Sequence, residues 1–585
     1  MGRKTGHMVK RRIKEMKKLF TLFAAALVML AAASCEKNEV LPEGNTAGKV
    51  VTLKASINNG ETKTSLGEKD ANDKYPVLWS EGDAIAVIQT NGVGQGQAAR
   101  IFKFVLKEGD GGKTSGEFEL EISENCGYTA ADFNASEEII AFYPFEDVHY
   151  SGINGENQFN ITYNIPDVQV YATNTFEKGA SPMVAYRATD ANGTLSFQNL
   201  FGVLKLQLQG ANEKVQSIEI ISSTYIAGDE TGLTTSNKES LQFEYRFGSL
   251  DGRKRVTLDC GNDGVSINNL TTFMIALHPD ATDLEVRIHT DKELYCKIIP
   301  TSDANDTPIN DIIAGNILAM QELNTANMAP AYIDETDVYQ GDGVALPDGN
   351  GGSIIWAPVN CGYEAPIVEE GTTISKGYPY GKLYQWGRKY GQGYNSTYDA
   401  TTPEISTGPV TLDVGQSESN MNVLFHNSKD WLSSENDKLW NSGTEESPVK
   451  TDYDPCPKGW RVPTKGELSN LRQNYSSCTT NAAGQQGFWF SGATSYTQEA
   501  PQVFFPAAGY HHWQANPGQN RDDVGRYWSS SPAYVTDIYV WHLDFNRGSM
   551  VTPEGVEMDY DRPGYGFSVR CVKDTPQSEP MPSGN

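Results

Sequence analysis

A cysteine held between two prolines is the first residue whose chemistry invites a functional interpretation: Cys456, in the stretch YDPCPKGWRVPTKGELSNL (453–471). A nucleophilic thiolate needs a base or a helix N-terminus beside it. No histidine lies within 29 residues of Cys456, and the first good helix-capping residue, Thr464, comes eight residues later. Pro455 and Pro457 hold the chain extended around the cysteine. We therefore expect a disulfide or a buried thiol, with a nucleophile as the disfavoured alternative.

The second group of residues that could take part in chemistry is YHHWQ (510–514). Adjacent histidines on a strand point to opposite faces, so they do not converge on one metal ion. A solvent loop is the plainest interpretation. Contact with a ligand is the alternative, because Trp513 lies in the polar stretch HHWQANPGQNRDD, which is long enough to form a binding loop. The candidate ligand contacts are Tyr510, His511, Trp513 and Arg526.

Motifs for other chemistry are absent from the sequence. There is no G-x-x-x-x-G-K-[ST] phosphate loop, no H-E-x-x-H zinc motif and no C-x-x-C pair. Acidic residues are too numerous for a catalytic carboxylate pair to be located. We predict no catalytic residue, no metal site and no cofactor, and interpret the protein as a non-enzyme.

A short helix should follow the Cys456 motif. Thr464 and Glu467 have the T-x-x-E spacing of a capping box, and Pro463 and Leu468 have the spacing of a hydrophobic staple. Leu468 and Leu471 then share one face. We predict a helix from Lys465 to about Asn474, entered by a rigid turn.

The overall charge argues against a nucleic-acid partner, and the N-terminus indicates export. The formal net charge of −27 disfavours nucleic-acid binding. The segment MKKLFTLFAAALVMLAAASC (16–35) has a basic start and an apolar run of about 15 residues, too short for a membrane span. Residues 1–35 are predicted to be a signal peptide with a misread start. The ending AAASC resembles a bacterial lipobox, in which Cys35 would carry lipid; an ordinary cleaved signal is the alternative.

Tryptophan usage and strand periodicity divide the chain. Trp79 is the only one of ten tryptophans before residue 345. Runs such as VTLKASI, GEFELEI and VLKLQLQ alternate with period two, which predicts half-buried antiparallel strands. We expect core packing for four of the later tryptophans, Trp386, Trp460, Trp489 and Trp528. The predicted segments are a β-sandwich at 49–192, a second β-sandwich at 193–325, an acidic Gly-rich linker at 326–353, a Trp-rich domain at 354–573 and a disordered tail at 574–585.

Three stretches of the first half resemble the fimbrillin family of Bacteroidota: TKTSL (62–66), VLWSEGDAIAV (77–87) and LSFQNLFGVLKLQLQG (195–210). The resemblance implies two transthyretin-like β-sandwich domains in a subunit of a type V pilus. In the family's pilus subunits a protease cuts at an arginine after the first strand region, and subunits then exchange strands. This sequence has no arginine between Cys35 and Arg100.

The second half resembles the Fibrobacter succinogenes major paralogous (FISUMP) domain. The matching stretches include WAPVNCGYEAP, GKLYQWGRKYGQGY, DPCPKGWRVPTKGEL, RYWSSSP and GFSVRCV. Its pattern is similar to the C-type-lectin-like fold that formylglycine-generating enzymes share, which implies an α+β domain. We favour Cys571 as the disulfide partner of Cys456. The Glu-Pro-Asn and Trp-Asn-Asp signatures of calcium-dependent lectins do not occur.

These features together predict a mainly β cell-surface lipoprotein of the outer membrane. Its partners would be other pilus subunits through strand exchange, the outer membrane through the lipid anchor, and a glycan or protein ligand of the C-terminal domain. We expect a pilus tip or pilus-associated adhesin, because the chain ends in a full domain. The alternatives are a standalone surface lipoprotein and an enzyme of the formylglycine-generating type.

Overall fold

The computed structural model describes part of the chain in eighteen stretches. They are residues 50–57, 78–89, 100–123, 126–146, 148–153, 159–188, 193–237, 242–247, 252–279, 281–300, 310–368, 375–395, 399–473, 475–491, 501–514, 516–534, 538–546 and 555–574. Cys35, the predicted signal peptide, the TKTSL motif and the tail from residue 575 lie outside these stretches. The chain divides into two compact units, Met1–Val51 and Thr52–Asn585, and only Val50 and Val51 of the first are described. No helix among the described residues has the length and hydropathy of a membrane span.

The mainly β prediction is confirmed. The first ten strands are β1 (Thr52–Ile57), β2 (Ala84–Gln89), β3 (Arg100–Leu106), β4 (Ser115–Leu120), β5 (Ile139–Tyr143), β6 (Val148–Ile153), β7 (Phe159–Ile165), β8 (Val168–Val170), β9 (Met183–Arg187) and β10 (Leu195–Asn199). A short 3₁₀ helix, Ala130–Asp132, precedes β5.

Seven of these strands close into a barrel in the order β1-β10-β9-β5-β2-β3-β4. The alternation predicted for VTLKASI is present, because Leu53, Ala55 and Ile57 are buried. In GEFELEI the alternation ends early: β4 stops at Leu120, and Ile122 is 51% exposed. Trp79 is fully buried and packs edge-on against three aromatic rings, which accounts for its presence in the half that is otherwise without tryptophan.

We refer to the next twelve strands, which lie between residues 202 and 324, as the second domain. They are β11 (Gly202–Gln209), β12 (Lys214–Ile221), β13 (Ala227–Asn237), β14 (Gln242–Phe247), β15 (Gly252–Arg253), β16 (Arg255–Asp259), β17 (Val265–Ser266), β18 (Thr271–Leu277), β19 (Leu284–Thr290), β20 (Leu294–Ile299), β21 (Ile317–Ala319) and β22 (Leu323–Asn324). One sheet, β18-β11-β21, and another, β20-β19-β12-β16-β8, share a large aliphatic core. Burial of apolar area on that scale is the main stabilising contribution.

The predicted boundary at residue 193 is wrong. β10, which follows it, pairs in parallel with β1 and so belongs to the barrel. β7 and β8, which precede it, pair with β13 and β16 of the second domain. Period-two alternation identifies a strand and its buried face, but it carries no information about which strand lies next to it. The parallel pairing of β1 with β10 was likewise not predicted.

The remaining strands belong to the C-terminal part. They are β23 (Ala331–Ile333), β24 (Tyr339–Asp342), β25 (Val344–Pro347), β26 (Ser353–Trp356), β27 (Glu364–Val368), β28 (Ser375–Tyr378), β29 (Leu383–Gln385), β30 (Glu404–Thr407), β31 (Val423–His426), β32 (Trp460–Arg461), β33 (Tyr475–Thr480), β34 (Gln486–Ser491), β35 (Gln502–Pro506), β36 (Tyr510–His512), β37 (Asn516–Gln519), β38 (Val524–Tyr534), β39 (Ile538–Asn546), β40 (Val556–Asp561), β41 (Gly566–Ser568) and β42 (Val572–Lys573). The helices are α1 (Leu412–Gly415), α2 (Lys465–Gln473) and the 3₁₀ helices Thr325–Asn327 and Glu418–Asn420.

The interpretation of 326–353 as a linker is wrong. The segment contains β23, β24 and β25, and β25 pairs with β26 at the start of the Trp-rich domain. Tyr332 and Leu346 are buried in that domain's two main cores. The acidic, Gly-rich composition of this segment predicted a solvated chain. A few apolar residues, Tyr332 and Leu346 among them, are enough to pack it against the Trp-rich domain.

A seven-stranded sheet is the frame of the C-terminal domain, with the order β37-β36-β41-β38-β39-β40 and β29 paired to β41. Neighbouring residues on β38 serve opposite faces: Tyr527 packs in the core that includes Leu468 and Leu471 of α2, and Trp528 packs in the core that includes Trp386. Trp386, Trp460 and Trp528 are buried as predicted, whereas Trp489 is half-buried.

Candidate functional site

The Cys456 motif forms a fixed corner. Cys456 is joined to Cys571 by a disulfide, with Cα atoms 5.9 Å apart across 115 residues of sequence. The carboxylate of buried Asp454 accepts the backbone amides of Cys456 at 2.8 Å and Val462 at 2.9 Å. Burial raises the pKa of Asp454, and the ammonium group of Lys450, 2.7 Å away, opposes that rise. A cysteine in a disulfide offers no thiolate, so this motif does not supply a nucleophile.

Helix α2 starts with the capping box that the sequence predicts. The Thr464 amide donates to the Glu467 carboxylate at 2.7 Å, and Thr464 Oγ1 accepts the Glu467 amide at 3.3 Å. Arg461 also donates to both Glu467 oxygens, at 2.8 and 2.7 Å. The bidentate pair orients the carboxylate that caps the helix.

A third cysteine lies beside the disulfide. The sulfur atoms of Cys361, Cys456 and Cys571 are all within 4.8 Å of one another, the one grouping of potential metal ligands among the described residues. Cys361 is buried, and its thiol donates to the Pro455 carbonyl at 3.2 Å. Because two of the three sulfurs are bonded to each other, the group does not present the separate thiolates that a metal needs.

The four predicted ligand contacts lie on β36, directly after β36, or on β38 of the seven-stranded sheet, and three of them join one surface. We call this surface the aromatic–charged cluster and define it as Tyr510, His512, Trp513, Arg526, Asp544, Asp561 and Tyr565. Tyr510 and His512 come from β36, and Arg526, Asp544 and Asp561 come from β38, β39 and β40 respectively. Tyr565 lies in the turn before β41.

Arg526 is the centre of the cluster. Its guanidinium lies 4.6 Å from the centre of the Tyr510 ring and 5.2 Å from that of Phe567. Its Nε is 2.7 Å from Asp544 Oδ2, and its Nη1 is 3.4 Å from Asp561 Oδ2. Register places Arg526 directly opposite Asp544, which explains the shorter of the two ion pairs. One cation is thus shared between two carboxylates and two rings.

Trp513 and its neighbours form the aromatic side of the cluster. The His512 ring stacks on Trp513 at 5.3 Å with an interplanar angle of 30° and meets Tyr565 edge-on at 5.1 Å. His512 Nε2 and the Tyr565 hydroxyl are 3.4 Å apart. Trp513 is half-buried rather than freely exposed. These contacts pre-order the rings, which lowers the entropy that a ligand would lose on binding.

His511 does not belong to this surface, which corrects its prediction as a ligand contact. It is fully buried, and its Nδ1 accepts the backbone amide of Gly518 at 3.0 Å. Burial lowers the pKa of His511 to about 3, so the ring is neutral. The strand geometry that separates adjacent side chains places His511 inside and His512 outside.

The cluster's electrostatics follow from burial and from Arg526. Burial raises the pKa of Asp544, but His542, whose Nε2 lies 3.6 Å from the carboxylate, and the charge of Arg526 outweigh it and hold the pKa below its usual range. Burial raises the pKa of Asp561, despite an opposing hydrogen bond from the Arg562 amide. Burial lowers the pKa of His512, so this ring is an uncharged contact near neutral pH. With one arginine and two aspartates, the cluster has a slight excess of negative charge.

Sequence reasoning missed His512, Asp544, Asp561 and Tyr565. The aspartates alternate with apolar residues on β39 and β40, a pattern shared by many solvated strand faces. Only the pairing of β38 with β39 and β40 shows that these carboxylates converge on Arg526. Tyr565 carries no local signal, since its position depends on the turn into β41.

Comparisons with known proteins give structural neighbours only. No protein-family profile and no curated protein matches the chain. A candidate cell adhesion protein from Bacteroides ovatus is 14% identical, with a TM-score of 0.30 over 48% of this chain and 95% of that chain. A fimbrial protein from Bacteroides ovatus is 9% identical, with a TM-score of 0.22 over 89% and 99% of the two chains.

The tip fimbrial protein Mfa3 from Porphyromonas gingivalis is 10% identical, with a TM-score of 0.21 over 45% of this chain and 91% of that chain. These three neighbours are thus described as fimbrial or cell-adhesion proteins of Bacteroides and Porphyromonas. At these TM-scores the similarity carries no argument about the function of the chain, which therefore has to be argued from its own residues.

Proposed function

We propose that the protein is a cell-surface adhesin of the fimbrillin type that binds a glycan or protein ligand through its C-terminal domain. The observation that carries this proposal is the aromatic–charged cluster, which brings residues from β36, β38, β39, β40 and the turn before β41 to one surface. Half-exposed tryptophan and tyrosine rings with a few polar groups are typical of recognition surfaces.

Binding is favoured over catalysis by the state of the reactive groups. Cys456 is tied to Cys571, and His511 is buried. The cluster's carboxylates Asp544 and Asp561 are ion-paired with Arg526. A general acid or base works best with a pKa near the operating pH and a path to substrate. Cys456 has no free thiol, His511 has no path to substrate, and both carboxylates are held by Arg526, which argues against an enzyme of the formylglycine-generating type.

The pilus part of the proposal is supported by the sequence motifs and by the place of β1. β1 lies between β4 and β10, pairing with both, and so closes the barrel. If a protease removed β1, the edges of β4 and β10 would be open to a strand from another subunit. We propose strand exchange of this kind with other pilus subunits, and a C-terminal domain of the FISUMP type with a C-type-lectin-like fold.

The membrane part of the proposal rests on residues 1–35. Lipid on Cys35 would anchor the protein in the outer membrane with its domains exposed at the cell surface. The alternative is a standalone surface lipoprotein, which the absence of arginine between Cys35 and Arg100 favours. Mass spectrometry of the mature protein separates the two: a standalone lipoprotein begins at acylated Cys35, and a pilus subunit begins beyond β1.

Adhesion is tested with the chain from Glu36 onward on immobilised glycans and extracellular matrix proteins. We expect saturable binding to at least one of them and loss of that binding in Trp513→Ala. Absence of binding to every surface, or binding that Trp513→Ala leaves unchanged, would contradict the proposal. Immunogold labelling of isolated pili tests the tip assignment, since uniform labelling along the shaft is incompatible with it.

A further inference from the structure

We propose that the aromatic–charged cluster takes the uncharged pyranose ring of a neutral glycan and discriminates against both acidic sugars and basic peptides. This inference rests on the proposed adhesin function and names the ligand class of the same surface. It follows from three features: a cation site that is already filled, a lack of free positive charge, and rings that keep some exposed area.

The first feature is that Arg526 occupies the place a ligand cation would take. A cation is best held over an aromatic face with carboxylates beside it. In the cluster, Arg526 already lies over the Tyr510 ring and is ion-paired with the carboxylates of Asp544 and Asp561. A lysine or arginine from a basic peptide would have to displace this internal cation, so the cluster does not favour such a partner.

The second feature is that the cluster offers no free positive charge to an acidic sugar. Arg526 is neutralised by two carboxylates, which leaves a slight negative excess. Arg562, the next cation, lies with its Nη1 2.6 Å from the Ser428 carbonyl and its Nε 3.3 Å from the Tyr539 hydroxyl. Both of these partners are neutral, so Arg562 keeps its charge, but a carboxylate or sulfate on a sugar placed beside Asp544 and Asp561 would meet repulsion from those two carboxylates.

The third feature is the remaining surface, which suits a neutral sugar. A pyranose ring has an apolar C–H face and a rim of hydroxyl groups. His512 stacks on Trp513 and holds it in place, and both Trp513 and Tyr565 remain half-buried, with part of each ring exposed. The Tyr565 hydroxyl and the Asp561 carboxylate add hydrogen-bonding atoms beside the rings, and polar groups of this kind fix the orientation of a ligand.

The experiment compares pairs of glycans that share a backbone and differ only in charge. The chain from Glu36 onward, with both N-terminal domains kept, is titrated with neutral oligosaccharides, their sialylated or sulfated forms, and a lysine-rich peptide. We expect neutral glycans to bind most tightly. Trp513→Ala should weaken that binding about tenfold, the size of a lost aromatic stacking contact.

Trp489→Ala is the matched control, because it removes another half-buried tryptophan, on the separate β33-β34-β35 sheet. It should retain binding, and circular dichroism should show that both variants are folded. Stronger binding of acidic glycans or of the basic peptide would overturn the inference. An equal loss of glycan binding in Trp513→Ala and Trp489→Ala would also overturn it. If no glycan binds but a matrix protein binds in a Trp513-dependent way, the neutral-sugar class fails while the adhesin function stands.

Discussion

At the scale of single residues, burial separates side chains that look equivalent in the sequence. His511 and His512 are neighbours, yet His511 is enclosed and neutral while His512 contacts Trp513 at the surface. Arg526 and Arg521 are five residues apart, and both are held by aspartate and by tyrosine rings. The Arg521 side chain is 4% exposed and pairs with a buried aspartate, whereas the Arg526 side chain is 23% exposed and lies in the aromatic–charged cluster.

Substitution of His511 tests its neutral state. The pKa of His511 is about 3 in the folded protein, against 6.5 for the ordinary side chain. Its neutral ring contributes stability that is present above pH 6.5 and lost as pH falls toward 3, because only the unfolded chain takes up the proton. Relative to wild type, His511→Gln should therefore gain up to about 1.4 kcal/mol per pH unit below 6.5.

Denaturant unfolding followed by tryptophan fluorescence measures this difference, since nine of the ten tryptophans lie after residue 345 and report on the C-terminal domain. The comparison is made at pH 7 and pH 5. Parallel stability curves for wild type and His511→Gln would show that the ring is not excluded from solvent.

The three sulfur atoms around the disulfide give a second prediction. Because Cys361 lies within 4.8 Å of both bonded sulfurs, Cys456→Ser should leave Cys361 and Cys571 able to pair under oxidising conditions. Peptide mapping by mass spectrometry without reduction should detect a Cys361–Cys571 bridge. The double variant Cys361→Ala with Cys456→Ser should be the less stable, since closing a long loop contributes ~4–5 kcal/mol in the chain-entropy model. Free thiols at both positions in Cys456→Ser would contradict the prediction.

At the scale of elements, α2 is a short helix whose entry is tied down by its surroundings. Besides the capping box, the Lys465 amide donates to Ser531 Oγ at 2.9 Å and the Gly466 amide donates to the Glu445 carboxylate at 2.6 Å. The first turn of the helix therefore has partners for four backbone amides. A nine-residue helix is marginal on its own, so these contacts and the burial of Leu468 and Leu471 set its stability.

Thr464→Ala should destabilise the C-terminal domain by about 1 kcal/mol, because it removes the hydroxyl that caps the Glu467 amide. Thr464→Ser keeps the hydroxyl and is the control. The midpoint of denaturant unfolding, followed by tryptophan fluorescence, is the measurement. An equal loss in both variants would mean that the buried methyl group, and not the cap, is responsible.

At the scale of the whole molecule, the second domain and the C-terminal part are joined by ion pairs. Asp337, in the turn between β23 and β24, accepts from Arg287 of β19 at 2.5 Å and also pairs with Arg255 of β16. Lys573 of β42 lies 2.7 Å from Glu293. Arg287 is 3% exposed, so its charge depends on these partners. These contacts indicate that ion pairs contribute to the junction between the two parts.

Asp337→Asn should loosen this junction, because it leaves the Arg287 guanidinium with less opposing charge. We expect faster limited proteolysis of the variant and a broader distribution of sizes in small-angle scattering. Glu335→Gln, an exposed acid two residues earlier, is the control. Identical proteolysis of wild type and Asp337→Asn would show that apolar packing of β23 alone holds the junction.

The sequence by itself determined the mainly β class, the strands with clear alternation, the helix after Cys456 with its capping box, and the burial of most tryptophans. These depend on neighbours close in the chain. Tertiary structure decided what depends on pairing across long distances: that β10 closes the barrel beside β1, that 331–347 docks as strands, and that Asp544 and Asp561 meet at Arg526. The physical reason is that side-chain periodicity specifies which face of a strand is buried, whereas a site made from several strands depends on their order and register, which local sequence does not encode.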